Sequence, residues 1–118
     1  MKDWEHHIGA EVSRDVDGDT FYVKVPAFNA VFTEDIRLAG IDTAEIFGVS
    51  KDSEEYQAGE EEKQFVIDWF DAADRLYLLT DYEKGEYGRW IADVENQDGD
   101  RLSEVLIDEY GESVIYDG

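Results

Sequence analysis

Two acidic segments, Asp17-Gly18-Asp19-Thr20 and Asp42-Thr43-Ala44-Glu45, bracket Arg37, and Tyr87-Gly88-Arg89 follows further along the chain. Carboxylates from two separate segments are the oxygen donors a hard cation such as Ca²⁺ takes. Arginine presents a planar donor fork that matches phosphate bidentately. Together these residue types suggest metal-dependent cleavage of a phosphodiester. Each has a plainer reading too. Asp17 and Asp19 are also what a tight turn favours, with no metal. Arg37 follows Ile36 in a stretch that reads as a half-buried strand, where a guanidinium needs an anionic partner. That partner is either a phosphate or one of the protein's own carboxylates.

The elements that must position these groups can be read from pattern. Residues 12–16 and 20–28 are rich in β-branched and aromatic types, and Asp17-Gly18 between them signals a hairpin turn. Pro26, the only proline, marks an edge or a bend. Residues 31–41 supply a third strand that ends beside the second acidic segment. A polar stretch from Phe47 to Gly59 reads as a surface loop. Over residues 60–74, Phe65, Val66, Trp69, Phe70 and Ala73 recur at helical spacing and predict the main helix. Residues 75–80 and 89–95 give the fourth and fifth strands, with 81–86 as a loop between them. Ser103 is the expected N-cap of a short helix through residue 109 that Gly111 ends. The plan is α+β and mainly β: a five-stranded barrel of the OB type, with the main helix between strands 3 and 4 and a short C-terminal helix.

Composition sets the context. A chain of 118 residues that is 42% hydrophobic and 14% aromatic suits a single domain spanning 1–118. It has no cysteine, which excludes disulfides and thiolate metal sites. No apolar run approaches a membrane span, and Met1-Lys2-Asp3-Trp4-Glu5 lacks the apolar core of a signal peptide, so a soluble, intracellular protein is expected. Against 10 Lys and Arg stand 31 Asp and Glu, a net charge of −21. The magnitude usual for a small soluble domain is about 2–8. Near 1 M salt the screening length falls to about 3 Å and such a surface becomes tolerable. A salt-rich cytoplasm, that of a halophilic microbe or its virus, is therefore favoured over an ordinary acidic protein with a cationic partner. The overall field repels nucleic acid, so any phosphate binding must be local.

The segments 12–20, 36–45 and 87–94, in this order, resemble the staphylococcal nuclease (thermonuclease) family. The likeness continues less specifically to Tyr116 and covers most of the chain. Asp-Gly-Asp-Thr alone is a weak signal; joined to Arg37-Leu38-Ala39-Gly40-Ile41-Asp42-Thr43 and Tyr87-Gly88-Arg89 it is a strong one. The resemblance implies one Ca²⁺ ion held by the carboxylates of Asp19 and Asp42 and the carbonyl of Thr43, with Asp17 just behind them. It assigns Arg37 and Arg89 to the phosphate and Glu45 to the attacking water. It also implies cleavage of DNA or RNA to 3′-phosphorylated products. Tyr87 would meet a terminal phosphate, and Tyr116 a sugar or base, although simple packing explains Tyr116 equally well.

The sequence departs from that family in three places. Ala44 stands where a proline is common, and Glu86 where a basic residue often precedes the tyrosine. Many relatives continue past the position of Gly118 into a final helix, so a partner protein covering that side is expected. A noncatalytic module of the same fold in a larger assembly, such as a virion, is the rival reading. His6-His7, Trp69, Phe70 and the Glu60-Glu61-Glu62 run call for nothing beyond surface, core and helix-start roles.

Overall fold

The computed structural model describes residues 2–12, 19–27, 30–44, 52–85 and 88–116. Its architecture is α+β and mainly β, a six-stranded mixed sheet with two helices. In chain order the elements are β1 His6–Gly9, β2 Glu11–Val12, β3 Thr20–Ala27, β4 Ala30–Leu38, α1 Glu54–Ala72, β5 Leu76–Lys84, β6 Trp90–Asn96 and α2 Leu102–Tyr110. A short 3-10 helix, Gly111–Val114, follows. The strands lie in the order β1-β5-β6-β4-β3-β2. All neighbours are antiparallel except β4 and β6, which run parallel over Ile36–Leu38 and Trp90–Ala92.

The hairpin β3–β4 follows from two-residue periodicity. Phe21, Val23, Ile36 and Leu38 are buried, while Tyr22, Lys24 and Asp35 between them are exposed. Pairing Phe21 with Ile36 and Val23 with Glu34 sets the register. Pro26 pairs with Val31 beyond Lys24, where β2 stops, so its missing N–H costs little. Helix α1 begins at the Ser53 cap, whose hydroxyl accepts from the Tyr56 N–H at 3.1 Å, with Glu54 and Glu55 in the first turn. It lays Val66, Phe65 and Phe70 on the sheet, Phe70 meeting Phe21 edge-on at 5.4 Å. Helix α2 closes the core with Leu102 and Leu106, both fully buried, and Gly111 ends it at φ 70°.

Several sequence expectations change. Six strands stand where five were expected, because the segment ahead of β3, read as a single strand over 12–16, carries both β1 and β2 on either side of Ala10. Its first part pairs with β5 and its second with β3, at opposite edges of the sheet. The expected first strand, 12–16, lies outside the described residues beyond Val12. Helix α1 starts at Glu54, inside the stretch expected to be loop, because its first turns are charged and solvent-facing rather than periodic. Strand β5 runs on to Lys84 through a bulge, where a loop was expected. Ser103 is not the cap of α2, for Arg101 holds that position. The Ser103 hydroxyl and N–H instead donate to the Asp93 carboxylate, which is 3% exposed. Burial pushes the Asp93 carboxyl above its ordinary range, against the opposing pull of Ser103 and the Val94 N–H.

Candidate phosphate and cation site

Asp19 sits just before β3, and its carbonyl accepts from the Leu38 N–H at 2.8 Å, extending the hairpin ladder by one step. The register then sets Thr20 opposite Arg37. Because Ile36 and Leu38 point into the core, Arg37 points away from it, with its side chain only 20% exposed. Past Leu38 the chain turns at Gly40, φ 73°, and crosses to the C-terminal segment. The Asp42 N–H donates to the Val114 carbonyl at 2.8 Å and the Tyr116 N–H to the Gly40 carbonyl at 3.0 Å, while Ile41 bridges to Ile115. Ile41 and Thr43 thus turn inward and Asp42 outward.

These constraints gather groups from four separate segments. Asp19 is the hub. Its Oδ2 accepts from the Thr43 N–H at 2.9 Å and lies 3.6 Å from Arg37 Nη1, and its Oδ1 accepts from the Thr20 hydroxyl at 3.0 Å. Arg89 Nη1 donates to the same Thr20 hydroxyl at 2.9 Å. Arg37 Nη2 is 3.9 Å from Asp42 Oδ1, and its guanidinium carbon lies 5.7 Å from the Tyr116 ring centroid. Both carboxylates stand beyond hydrogen-bond length from Arg37, which among the described residues donates to the Leu38 carbonyl at 3.1 Å. Much of its donor fork is therefore not committed to those carboxylates.

Asp19, Arg37, Asp42, Thr43, Arg89 and Tyr116 are accordingly brought together. Asp17, Glu45 and Tyr87 lie outside the described residues. Two further residues belong to the neighbourhood. Thr20 links Arg89 to Asp19, and its place inside the Asp-Gly-Asp-Thr segment was the available signal. Glu62 of α1 is 5% exposed and its carboxylate accepts from the Ala44 N–H at 3.4 Å, backing the acidic segment. Its position in a run of three glutamates concealed it, since the run reads as a solvated helix face. Nearby, burial and then the carboxylates of Glu61, Glu62 and Glu109 push the Tyr110 hydroxyl up to about 12.

Asp19 and Asp42 present carboxylates from two segments, one buried and one exposed, oxygen donors of the type a hard cation takes. Among the described residues no three His, Asp or Glu side chains form a group that could hold a metal ion. No helix among them is long and apolar enough to cross a membrane. No protein-family model matches this chain, and no curated protein matches it significantly.

Proposed function

We propose that this chain is a thermonuclease-like phosphodiesterase, Ca²⁺-dependent, that cleaves DNA or RNA to 3′-phosphorylated products. The observation that carries the reading is the convergence of Arg37 and Arg89 on one Asp19–Thr20 pair beside Asp42 and Thr43. The single residue between β1 and β2, at opposite sheet edges, supports the finer fold as well: 6–12 as one bent strand of a five-stranded OB-type barrel.

In this reading Asp19, Asp42 and the Thr43 carbonyl would hold the ion. When bound, Ca²⁺ would offset negative charge and acidify coordinated water. Arg37 and Arg89 clamp the scissile phosphate and stabilise the charge that builds on its oxygens as phosphorus becomes five-coordinate. Arg37 exchanges its long contacts with Asp19 and Asp42 for the phosphate, at little cost in hydrogen bonds. Glu45, two residues beyond Thr43, takes the proton of the attacking water. In-line attack then breaks the bond to the 5′ oxygen. The net charge of −21 supports a salt-rich setting, a halophilic cell or a virion.

The test is digestion of end-labelled single-stranded DNA with Ca²⁺ in molar salt, with the new termini mapped. The expected fragments carry 3′-phosphates, and Glu45→Gln is expected to lower the rate by at least about 10²-fold. Fragments with 5′-phosphates, or an undiminished Glu45→Gln rate, would refute the mechanism. Inertness of the unmodified protein across salts and metals would favour the noncatalytic module.

A further inference from the structure

The chain carries a charge of −21, yet residues 25–33, Val-Pro-Ala-Phe-Asn-Ala-Val-Phe-Thr, contain no charged side chain, the longest such run in the sequence. They span the far end of β3 and the start of β4, where Val31 is 66% and Phe32 51% exposed. Two bonds near the end of β4 fix which way its backbone groups point. The Leu38 N–H donates to the Asp19 carbonyl on the β3 side, and the Ala39 N–H to the Ala92 carbonyl on the β6 side. Successive residues of a strand alternate in this respect, so Val31, Thr33 and Asp35 turn their N–H and C=O groups away from β3. Strand β6 meets β4 only over Ile36–Leu38, and among the described residues no other strand lies along 30–35 on that side. The opposite edge of the hairpin is closed. By the same alternation Pro26 holds an outward position there beyond the end of β2, with no N–H to offer.

We propose that the β4 edge from Ala30 to Glu34 pairs with the same edge of a second copy of this chain, joining two sheets through an antiparallel strand pair. Residues opposed across such a pair share a face, so the two-fold axis passes through a residue rather than between two. Centred on Phe32, the axis sets Val31 against Thr33 of the partner subunit, with backbone bonds exchanged both ways, and Glu34 against Ala30 of the partner subunit. Phe32 then meets Phe32 of the partner subunit at a position without backbone bonds, where side chains approach most closely. Centred on Thr33 instead, the axis would oppose Phe32 to a carboxylate. The paired span stops at Glu34, short of Ile36, where β6 takes over the edge. Charge selects this contact. Two chains at −21 repel across most of their surface, but here no carboxylate faces another, and near 1 M salt the repulsion is screened within about 3 Å. Pro26 fixes the symmetry: with the β3 edge blocked, the β4 edge is complemented in another copy only by its own counterpart, which closes a dimer instead of building a filament.

The proposal is independent of the phosphodiesterase reading, and its test is the oligomeric state of the full chain in molar salt. Sedimentation velocity over a concentration series is expected to show a monomer–dimer equilibrium. Val31→Pro removes an outward N–H from each copy while leaving the bonds between β3 and β4 in place, and should weaken the dimer by at least about 10-fold. A second variant reads the register directly. The chain has no cysteine, so Phe32→Cys introduces a single thiol, which the two-fold axis brings within disulfide reach of its own copy, at a Cα separation of about 4.5 Å. Under mild oxidation Phe32→Cys should cross-link to a covalent dimer much faster than Lys24→Cys, an exposed position on the opposite face of the hairpin. A protein that stays monomeric at every concentration would overturn the proposal. So would a dimer in which Phe32→Cys cross-links no faster than Lys24→Cys, or one that a folded Val31→Pro variant leaves unchanged.

Discussion

Asp19 and Asp42 carry the same charge and share one arginine, yet their removal should have very unequal consequences for stability and a common one for Ca²⁺. Asp19→Ala takes the acceptor from the Thr43 N–H, at 2.9 Å in a residue 4% exposed, and from the Thr20 hydroxyl at 3.0 Å. Stranding a buried N–H costs about 1–3 kcal/mol and losing the partly solvated hydroxyl bond about 1, so a loss of about 2–4 kcal/mol is expected. Asp42 has a side chain 56% exposed and, among the described residues, a long contact 3.9 Å from Arg37. Solvent screens such a pair, and Asp42→Ala should cost less than about 0.5 kcal/mol. The assay is urea unfolding in molar salt, followed by far-UV circular dichroism, with EGTA or with Ca²⁺. At about 100 times its Kd, the ion should add about 2.7 kcal/mol to the unmodified protein and nothing to either variant. The reasoning fails if Asp42→Ala is as damaging as Asp19→Ala in EGTA. It also fails if Asp42→Ala keeps the Ca²⁺-induced gain.

Other outcomes follow from single contacts. Burial raises the Asp93 carboxyl, so the native state keeps that proton to higher pH than the unfolded chain. The stability contributed is complete below the ordinary carboxylate value of 3.8 and declines as pH rises through the raised value. Denaturation curves across the acid to neutral range should therefore show the unmodified protein losing stability relative to Asp93→Asn as pH rises, and a constant difference would contradict this. Ser53→Ala removes the α1 cap bond of 3.1 Å and should cost about 1 kcal/mol in the same unfolding assay. Gly111→Ala forces a side chain onto φ 70° and should cost about 1 kcal/mol, whereas no change would mean the turn relaxes.

Periodic segments were the most legible in sequence. Phe21, Val23, Ile36 and Leu38 alternate with polar residues, and Phe65, Val66 and Phe70 recur on one helical face, so strands β3 and β4 and the body of α1 could be read directly. What failed had no apolar period to show. The first turns of α1 are anchored by one serine hydroxyl and acidic side chains, and β1 is exposed at His6 and His7, so its pairing with β5 leaves no pattern. Ser103 has the type of a cap, but a buried carboxylate across the fold claims its hydroxyl. At the site, residue types and order anticipated the grouping of Asp19, Arg37, Asp42, Thr43 and Arg89. They did not disclose Thr20 as the link or Glu62 behind the acidic turn, because both roles arise from tertiary placement.

The central claim is that Arg37 and Arg89 act on a phosphodiester rather than serving only the protein's own carboxylates. Its most direct test is the Ca²⁺-dependent cleavage rate of single-stranded DNA in molar salt, compared between the unmodified protein and Arg37→Ala. Cleavage that requires Ca²⁺ and falls by at least about 10²-fold in Arg37→Ala is predicted. No cleavage by the unmodified protein, or an equal rate in a folded Arg37→Ala variant, would contradict the account.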